Sequence, residues 1–410
     1  MADSTAPDPR LAVTLSAIRA AAERLKGRID RTPMRRSRAL SEATGAEVWV
    51  KYENDQYTAA FKERGALNKL LQLSEQERQR GVIAASAGNH AQALAHHARE
   101  LGVPTTIVMP KVTPNVKVEQ TRARGAAIVL EGDTFDDAYA HALKLRDERD
   151  LVFVHPFNDI EVMIGQGTTA LEMLEDATEL DMLVVPIGGG GLIAGMGVAA
   201  KALKPDIRII GVEASMYPSF NARMRGVTAA KSAGQTIAEG IAVKAVGDLP
   251  FAVARELIED IVLVDESVLE RAVALYATAE RTVAEGAGAA ALAALLAEPE
   301  RFQGKSCGLV LSGGNIDTRL LASVLERSLV REGRITMIRF IGDDRPGILA
   351  SVARILGDGG ANILQVEHRR MTLDAPAKGG DGRAGGRGVQ RTPALITRKA
   401  ERQRSGLRWL

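Results

Sequence analysis

Four separated segments of the sequence carry residue types that, brought together, could bind a phosphate and form a covalent bond to a carbonyl compound. The first spans residues 58–66 and places Lys62 directly after Phe61, at the start of a predicted helix. A lysine on a helix is most often a solvated surface residue. A lysine that attacks a carbonyl lies instead in a partly desolvated pocket, which lowers its pKa and frees the neutral amine. Lys62 is therefore a candidate nucleophile if the other segments surround it.

Two further segments are small-residue turns that directly follow predicted strands. One is Ser86-Ala87-Gly88-Asn89-His90, after the apolar run 81–85, and the other begins with Ser312, after the run 308–311. Small residues at the carboxyl end of a strand let a ligand approach backbone N–H groups, and Ser and Asn add directed polar contacts. Each turn by itself is equally consistent with an ordinary helix cap or loop.

The remaining segment is a run of four glycines, Gly188, Gly189, Gly190 and Gly191, between a predicted strand and a predicted helix. Backbone N–H groups that no side chain shields, at the positive end of a helix, form an anion site. No Walker-type lysine and serine follow the run, and the spacing of a dinucleotide-binding loop is not met. The run therefore favours a single phosphate monoester over a nucleotide.

Short apolar segments alternate with amphipathic stretches along the chain. Segments rich in β-branched residues predict strands at 47–51, 81–84, 105–109, 127–130, 151–155, 182–186, 208–213, 261–264 and 308–311. Apolar residues at three- and four-residue spacing predict helices at 91–100, 115–124, 134–148, 192–202 and 266–282. This alternation indicates an α/β fold with parallel sheets.

In this order and spacing, the four segments resemble the fold-type II pyridoxal-phosphate enzymes, most closely the threonine ammonia-lyase (threonine dehydratase) and serine racemase branch. The similarity covers roughly residues 15–330. It implies a two-lobed, parallel-sheet α/β body like that of tryptophan synthase β. The catalytic body is expected at residues 1–330, with a small lobe inserted at roughly 50–155. The implied cofactor is pyridoxal 5'-phosphate.

The resemblance also implies a role for each residue of the four segments. Lys62 is the expected imine lysine and the catalytic residue, with Phe61 against the cofactor ring. The other expected cofactor contacts are Asn89 to the ring hydroxyl, Gly188, Gly189, Gly190 and Gly191 to the phosphate, Ser312 to the pyridine nitrogen, and Glu285 near the ring. The substrate carboxylate is expected on the backbone of Ser86, Ala87, Gly88, Asn89 and His90.

The implied reaction is loss of water and then ammonia from L-threonine to give 2-oxobutanoate, with L-serine to pyruvate as a side activity. A neutral hydroxyl at Ser312 would not hold a proton on the pyridine nitrogen, which favours elimination over transamination. Serine racemase is an alternative, but Ala87 stands where the racemases carry a serine as second acid–base group. A β-replacement synthase is a second alternative, although the phosphate loop of those enzymes usually contains threonines, which the four-glycine run here lacks.

The racemases also carry a divalent-metal site, which would fall near Glu213 and Ser219 in this sequence. A single carboxylate is a poor site for Mg²⁺ or Ca²⁺. No metal is therefore predicted.

The sequence changes character after Gly333. Its features resemble the first half of an ACT domain, a small amino-acid-sensing module: an alternating run at 335–340, a turn at 343–347, a helical pattern at 348–356 and a second strand at 361–368. We therefore expect a partial ACT-like βαβ module at residues 334–374. Residues 375–410 are rich in glycine and hold nine basic against two acidic residues, which predicts a disordered tail. An amino-acid sensor that uses the ACT-like module is the non-enzyme alternative.

Composition bears on partners and location. The chain has 410 residues, 46% of them hydrophobic, and a formal net charge of +2 that combines +7 in the basic tail with −5 in the rest of the chain. The mildly acidic body gives no electrostatic reason to expect nucleic-acid or membrane binding. The uncharged stretch 182–200 contains six glycines and Pro186, which argues against a membrane span. The only cysteine, Cys307, lies in an apolar run and fits a reducing compartment. We expect a cytoplasmic protein acting on a small amino acid, and the resemblance adds a homo-oligomer.

Overall fold

A computed structural model describes residues 8–228, 234–338, 346–367 and 394–398. The chain divides into two compact units, residues 1–317 and residues 318–410. The first unit contains every residue of the predicted site.

The larger sheet of the first unit has six strands in the order β1-β2-β10-β7-β8-β9. These strands are β1 (Met34–Ser37), β2 (Glu47–Tyr52), β7 (Met182–Pro186), β8 (Arg208–Ala214), β9 (Asp260–Val264) and β10 (Ser306–Leu311). All neighbours pair in parallel except β1, which is antiparallel to β2 at the edge. Because β7 and β10 are parallel, the glycine run after β7 and Ser312 after β10 both lie at the carboxyl ends of the strands, on the same end of the sheet.

The smaller sheet has four parallel strands in the order β5-β4-β3-β6. They are β3 (Val82–Ala85), β4 (Thr105–Met109), β5 (Ala127–Leu130) and β6 (Val152–Phe153). Every strand that the apolar runs predicted is present in one of the two sheets, and the α/β parallel-sheet prediction is confirmed. In these two sheets only β1 was missed, because its sequence Met-Arg-Arg-Ser lacks the apolar pattern of a buried strand.

Helices connect the strands and cover the sheets of the first unit. They are α1 (Pro9–Ala12), α2 (Leu15–Leu25), α3 (Arg38–Thr44), α4 (Lys62–Leu71), α5 (Glu75–Arg80), α6 (Asn89–Glu100), α7 (Asn115–Ala123), α8 (Phe135–Arg149), α9 (Ile160–Asp176), α10 (Gly191–Leu203), α11 (Ser219–Met224), α12 (Asp248–Ala254), α13 (Glu266–Leu275), α14 (Gly286–Ala297) and α15 (Pro299–Phe302). The helix predicted at 266–282 ends earlier, at Leu275, and a π-helical turn follows at Tyr276–Glu280. The Thr278 hydroxyl donates to the Ala274 carbonyl there, a bond that competes with regular helix geometry.

Three helices of the first unit pack with almost no side chain between their backbones. A Cβ added at Gly165 of α9 would lie 2.5 Å from the Arg64 carbonyl oxygen of α4. A Cβ added at Gly195 of α10 would lie 2.1 Å from the Met163 carbonyl oxygen of α9. Both glycines are thus required by close approach, and they set the distance of α4, which begins at Lys62, from the core.

The second unit contains α16 (Thr318–Arg331), β11 (Ile335–Ile338), α17 (Ile348–Asp358), β12 (Ala361–Gln365) and β13 (Ala394–Arg398). Strand β13 pairs in antiparallel fashion with both β11 and β12. Strand β13 lies within residues 375–410, for which the sequence predicts a disordered tail without any strand. Its core, Leu395-Ile396-Thr397, has the β-branched character of a strand. The rest of the range, and residues 343–345 of the predicted ACT turn, lie outside the described residues.

The uncharged stretch 182–200 forms strand β7, the glycine turn and most of helix α10. Among the described residues, no helix combines the length and the apolar character that crossing a bilayer requires.

The close packing of α9 and α10 predicts the effect of one added methyl group. Gly195→Ala should lower the free energy of unfolding by about 2 kcal/mol, because the new Cβ overlaps the Met163 carbonyl oxygen. The matched control is Gly197→Ala on the same helix, where the nearest atom, on Leu257, would be 3.3 Å away. Urea unfolding of both variants checks this. Equal stability of the two variants would contradict the packing described.

Candidate active site

The turn that precedes Lys62 is held by the segment after β10 and by the helix that it leads into. The backbone N–H of Phe61 donates to the Ser312 carbonyl at 3.1 Å, and Ala60 forms an isolated bridge with Gly313. Within the local segment, the Thr58 backbone N–H donates to the buried Glu63 carboxylate of α4. Ala59 has a φ of 56°, a left-handed conformation that costs a non-glycine residue energy. The strain is maintained because these partners fix the turn.

Lys62 is the first residue of α4 and is half-buried. Its Nζ donates to the Pro156 carbonyl at 2.8 Å and lies 5.0 Å from the centre of the Phe61 ring. Loss of water around the ammonium lowers the pKa of Lys62 to about 8, and the negative charge of Glu285 opposes this shift. About a tenth of the amine is therefore neutral, and nucleophilic, at pH 7, far more than for a lysine with its ordinary pKa of 10.5.

Asn89 and Glu285 meet although they are far apart in the sequence. Asn89 Nδ2 donates to Glu285 Oε1 at 2.7 Å, and Asn315 Nδ2 donates to Asn89 Oδ1 at 2.8 Å. Desolvation raises the pKa of Glu285 to about 7, and the hydrogen bond from Asn89 opposes the shift. Glu285 as acceptor and Asn315 as donor fix the orientation of the Asn89 amide. Glu285 is held in turn by its backbone N–H, which donates to the Gly313 carbonyl at 3.0 Å.

The segment Ser86-Ala87-Gly88-Asn89-His90 joins β3 to α6, which begins at Asn89. The Gly88 backbone N–H donates to the Ser86 hydroxyl at 3.3 Å. His90 is buried and its Nε2 lies 2.9 Å from the Val154 carbonyl oxygen. Burial and the nearby Lys62 charge lower the pKa of His90 to about 3, so its ring is neutral. The His90 ring thus contacts the backbone that follows β6.

The glycine run joins β7 to α10, a helix of 13 residues that begins at Gly191. Gly190 has a φ of 96°, and a Cβ added at Gly189 would lie 2.2 Å from atoms of the Phe157 ring. The run therefore leaves backbone N–H groups unshielded at the start of a helix, as an anion site requires. Phe157, which sequence reasoning did not single out, packs on Gly189 and Gly191 of this run.

Ser312 follows β10 and is buried, with its hydroxyl 3.4 Å from the Ala287 carbonyl oxygen. The Ser312 carbonyl accepts the backbone N–H of Phe61 in the turn before Lys62, and the neighbouring Gly313 carbonyl accepts the backbone N–H of Glu285. Ser312 therefore lies beside both the turn and Glu285. The structure thus brings the candidate residues of strands β3 and β10 and helix α4 into one group.

The residues that contact the predicted ones, and that sequence reasoning did not single out, include Pro156, Phe157 and Asn315. Asn315 ends the Ser-Gly-Gly-Asn turn, and an amide directly after such a turn was the available signal for it. Pro156 acts through its carbonyl, a group that every residue carries, so no residue type could have indicated it.

Glu213 and Ser219, where a metal was considered, have partners within the protein. The Glu213 carboxylate accepts the backbone N–H groups of Phe220 at 2.8 Å and Asn221 at 2.9 Å, and burial raises its pKa to about 7. The Ser219 hydroxyl donates to the Val243 carbonyl at 2.6 Å. Within the described residues, no group of three or more His, Cys, Asp or Glu side chains is arranged to hold a metal ion.

The residues present fit an aromatic aldehyde that carries a phosphate. A lysine amine with a pKa near 8 suits covalent attachment to the aldehyde. The glycine run, in which an added Cβ would collide with its neighbours, suits the phosphate. Pyridoxal 5'-phosphate has both groups.

Comparison with known proteins agrees with this fit. The family model described as "Pyridoxal-phosphate dependent enzyme" matches residues 25–313. An L-threonine ammonia-lyase of Thermotoga maritima is 44% identical over 365 residues, which is 89% of this chain and 91% of that protein. The structure of the processed form of threonine deaminase isoform 2 from Solanum lycopersicum matches with a TM-score of 0.72 and 35% identity, over 79% of this chain and 94% of that one.

A maize serine racemase structure matches with a TM-score of 0.71 and 32% identity, over 78% of this chain and 99% of that one. The family model spans more than half of the chain, and the relatives exceed 30% identity over most of it. The chain therefore belongs to the pyridoxal-phosphate-dependent enzyme family, with pyridoxal 5'-phosphate as its cofactor and the two-lobed, parallel-sheet body of fold-type II.

Proposed function

We propose that this protein is a threonine ammonia-lyase, which removes water and then ammonia from L-threonine to give 2-oxobutanoate. L-Serine, converted to pyruvate, is the expected side activity. The observation that carries the proposal is the Lys62 amine, with a pKa of about 8, held at the junction of the turns from both sheets. Similarity to the L-threonine ammonia-lyase of Thermotoga maritima supports the choice of substrate.

The cofactor, when bound, supplies the electron sink for the electron pair of the broken Cα–H bond. The residues proposed to hold it are Lys62 at its aldehyde carbon, Phe61 beside its ring, Asn89 at its ring hydroxyl, Glu285 near the ring, Ser312 at its pyridine nitrogen, and Gly188, Gly189, Gly190 and Gly191 at its phosphate. The Asn89 amide suits its role because Asn315 and Glu285 fix its orientation. The substrate carboxylate is proposed to accept backbone N–H groups of Ser86, Ala87, Gly88, Asn89 and His90.

Lys62 is proposed to move the proton. When its amine is free, the neutral Nζ takes the proton from Cα of the substrate, and the pKa of about 8 leaves this form available near neutral pH. The Pro156 carbonyl accepts one N–H of the amine and so orients its lone pair. Loss of the β-hydroxyl as water then gives an enamine product, whose hydrolysis in solution yields the ketoacid and ammonia.

Serine racemase is the second candidate, favoured by the similarity to the maize enzyme. Racemisation requires a proton donor on the face of Cα opposite the lysine. Ala87 is half-buried against the apolar core of the small sheet and its methyl group has no proton to give. The alanine therefore supports elimination over racemisation.

Further proposals concern assembly, location and the second unit. We propose a cytoplasmic location, which the single buried cysteine Cys307 fits. We also propose a homo-oligomer, as the resemblance implies, and light scattering of the purified chain would measure its order. We also propose that residues 334–374 form a partial ACT-like module, supported by the order β11, α17, β12. Calorimetric titration with isoleucine or valine would test whether the module binds an amino acid.

Lys62→Ala and Lys62→Arg should each lower kcat for 2-oxobutanoate formation by more than about a thousandfold. Alanine has no amine, and the guanidinium of arginine remains charged and is a poor nucleophile. The control is Lys69→Ala on the same helix, which loses only a 2.8 Å ion pair to Asp159 and should keep its activity. The measurement is ketoacid formation together with the visible absorbance of the bound cofactor. A colourless wild-type protein after addition of pyridoxal phosphate would refute the proposed function.

The pKa of Lys62 predicts how fast the cofactor-free protein combines with pyridoxal phosphate at each pH. Only the neutral amine attacks, and a lowered pKa means that this form is present above about 8, so the rate should rise with pH through a midpoint near 8. Glu285→Gln should move the midpoint to lower pH, because the Glu285 charge favours the ammonium form. Stopped-flow absorbance measures both. A midpoint at the ordinary lysine value of 10.5 would show that the amine is fully solvated.

L-Serine should give pyruvate without D-serine, because Ala87 provides no second acid–base group. Ala87→Ser places a hydroxyl at this position and should produce measurable D-serine at the expense of pyruvate. Chiral chromatography of the products, with wild type and variant at equal cofactor content, makes the comparison. Abundant D-serine from the wild type would favour the racemase assignment instead.

A further inference from the structure

The turn that follows β6 is organised around the ring of His155. The His155 Nδ1 accepts the backbone N–H of Phe157 at 3.2 Å and that of Asn158 at 2.8 Å. A ring nitrogen that accepts two N–H groups cannot itself carry a hydrogen, so the ring proton lies on Nε2. The side chain thus fixes the two residues that follow Pro156.

The surroundings of His155 keep its ring neutral. The ring packs on three aromatic side chains, with centroid distances of 5.9 Å to Tyr139, 6.0 Å to Phe153 and 4.5 Å to Phe157. Desolvation, with a smaller effect of the Lys62 charge, lowers the pKa of His155 to about 4, while Asp159 acts in the opposite direction. The acceptor at Nδ1 is therefore present throughout the neutral range.

This turn contacts the proposed site at two points. The Pro156 carbonyl accepts Lys62 Nζ at 2.8 Å, and the Phe157 ring packs against Gly189. Proline has no N–H of its own, so it cannot anchor the turn by donating a hydrogen bond. The two bonds to His155 hold the residues directly after it, and with them the direction of the Pro156 carbonyl.

We propose that His155 is a positioning residue for the catalytic lysine: its Nδ1 fixes the turn that points the Pro156 carbonyl at the Lys62 amine. The role rests on the proposed function of Lys62 as the cofactor lysine. His155 does not act there as an acid or base through Nδ1, because that lone pair is already shared by two backbone N–H groups.

The test compares His155→Asn with His155→Leu. The Oδ1 of asparagine, like Nδ1 of histidine, is bonded to Cγ and can accept both N–H groups, whereas leucine has the same branching without an acceptor. Cofactor-free wild type and variants are mixed with pyridoxal phosphate and reduced with borohydride at set times, and mass spectrometry quantifies the modified peptide that contains residue 62. An absorbance titration gives the dissociation constant of pyridoxal phosphate, and apparent Tm values report folding.

We expect modification of Lys62 in the leucine variant to slow by about tenfold or more, because two partly buried N–H groups lose their acceptor. Asparagine should restore most of the rate. Equal rates in the wild type and the leucine variant would overturn the proposal, as would an asparagine variant as slow as the leucine variant. His155→Phe, which keeps an aromatic ring without the acceptor, replaces the leucine variant if that variant does not fold. If both apolar variants fail to fold, His155 serves folding rather than positioning and the proposal is wrong. A wild type that is not modified at Lys62 would refute the proposed function as well.

Discussion

A lysine amine that reacts near neutral pH must lie where water is scarce, and this requirement constrains the position of helix α4. Lys62 is the first residue of that helix, and the helix starts where turns from the two sheets converge. The large-sheet side supplies the Ser312 carbonyl that holds Phe61, and the small-sheet side supplies the Pro156 carbonyl that accepts Nζ. Desolvation at this junction lowers the pKa of the amine to about 8. The proposed chemistry therefore depends on the placement of one helix end.

The placement of α4 is secured by a buried ionic cluster around Arg64, two residues after Lys62. Arg64 is fully buried and pairs with Glu53 at 2.7 Å and with Glu172 at 2.7 Å, and Lys51 pairs with Glu172 at 2.5 Å. Burial alone would raise the pKa of Glu53, but the Arg64 guanidinium, with the Lys51 charge and the Thr32 hydroxyl, more than offsets this and the pKa is lowered. Removing one partner would leave an uncompensated buried charge, which is far more costly than losing a surface pair. Together with the close approach at Gly165, the cluster ties α4 to α9 and β2.

Most of the fold could be predicted from the sequence because buried parallel strands have continuous apolar runs, which local patterns reveal. The exceptions have physical causes. Strand β1 is a polar edge strand whose pairing with β2 is decided by tertiary contacts. The π-helical turn after Leu275 keeps helical apolar spacing, so spacing alone could not show that the regular helix ends there. Strand β13 follows a stretch rich in glycine and arginine, and the composition of that stretch led to the prediction of disorder for all of residues 375–410.

For the candidate site, the chemical groups could be identified from residue types and their order: a lysine after an aromatic residue, a glycine run before a helix, and small polar turns at strand ends. They could be identified because a phosphate site and a nucleophilic amine each need particular residue types at particular points of an α/β unit. Their mutual arrangement, including the contact of Asn89 with Glu285 and Asn315 and the carbonyl partner of Lys62, follows from the folded chain alone. Such contacts join residues distant in the chain, and a carbonyl or a desolvated amine has no signature in residue type. The pKa of Lys62 is therefore a property of the fold.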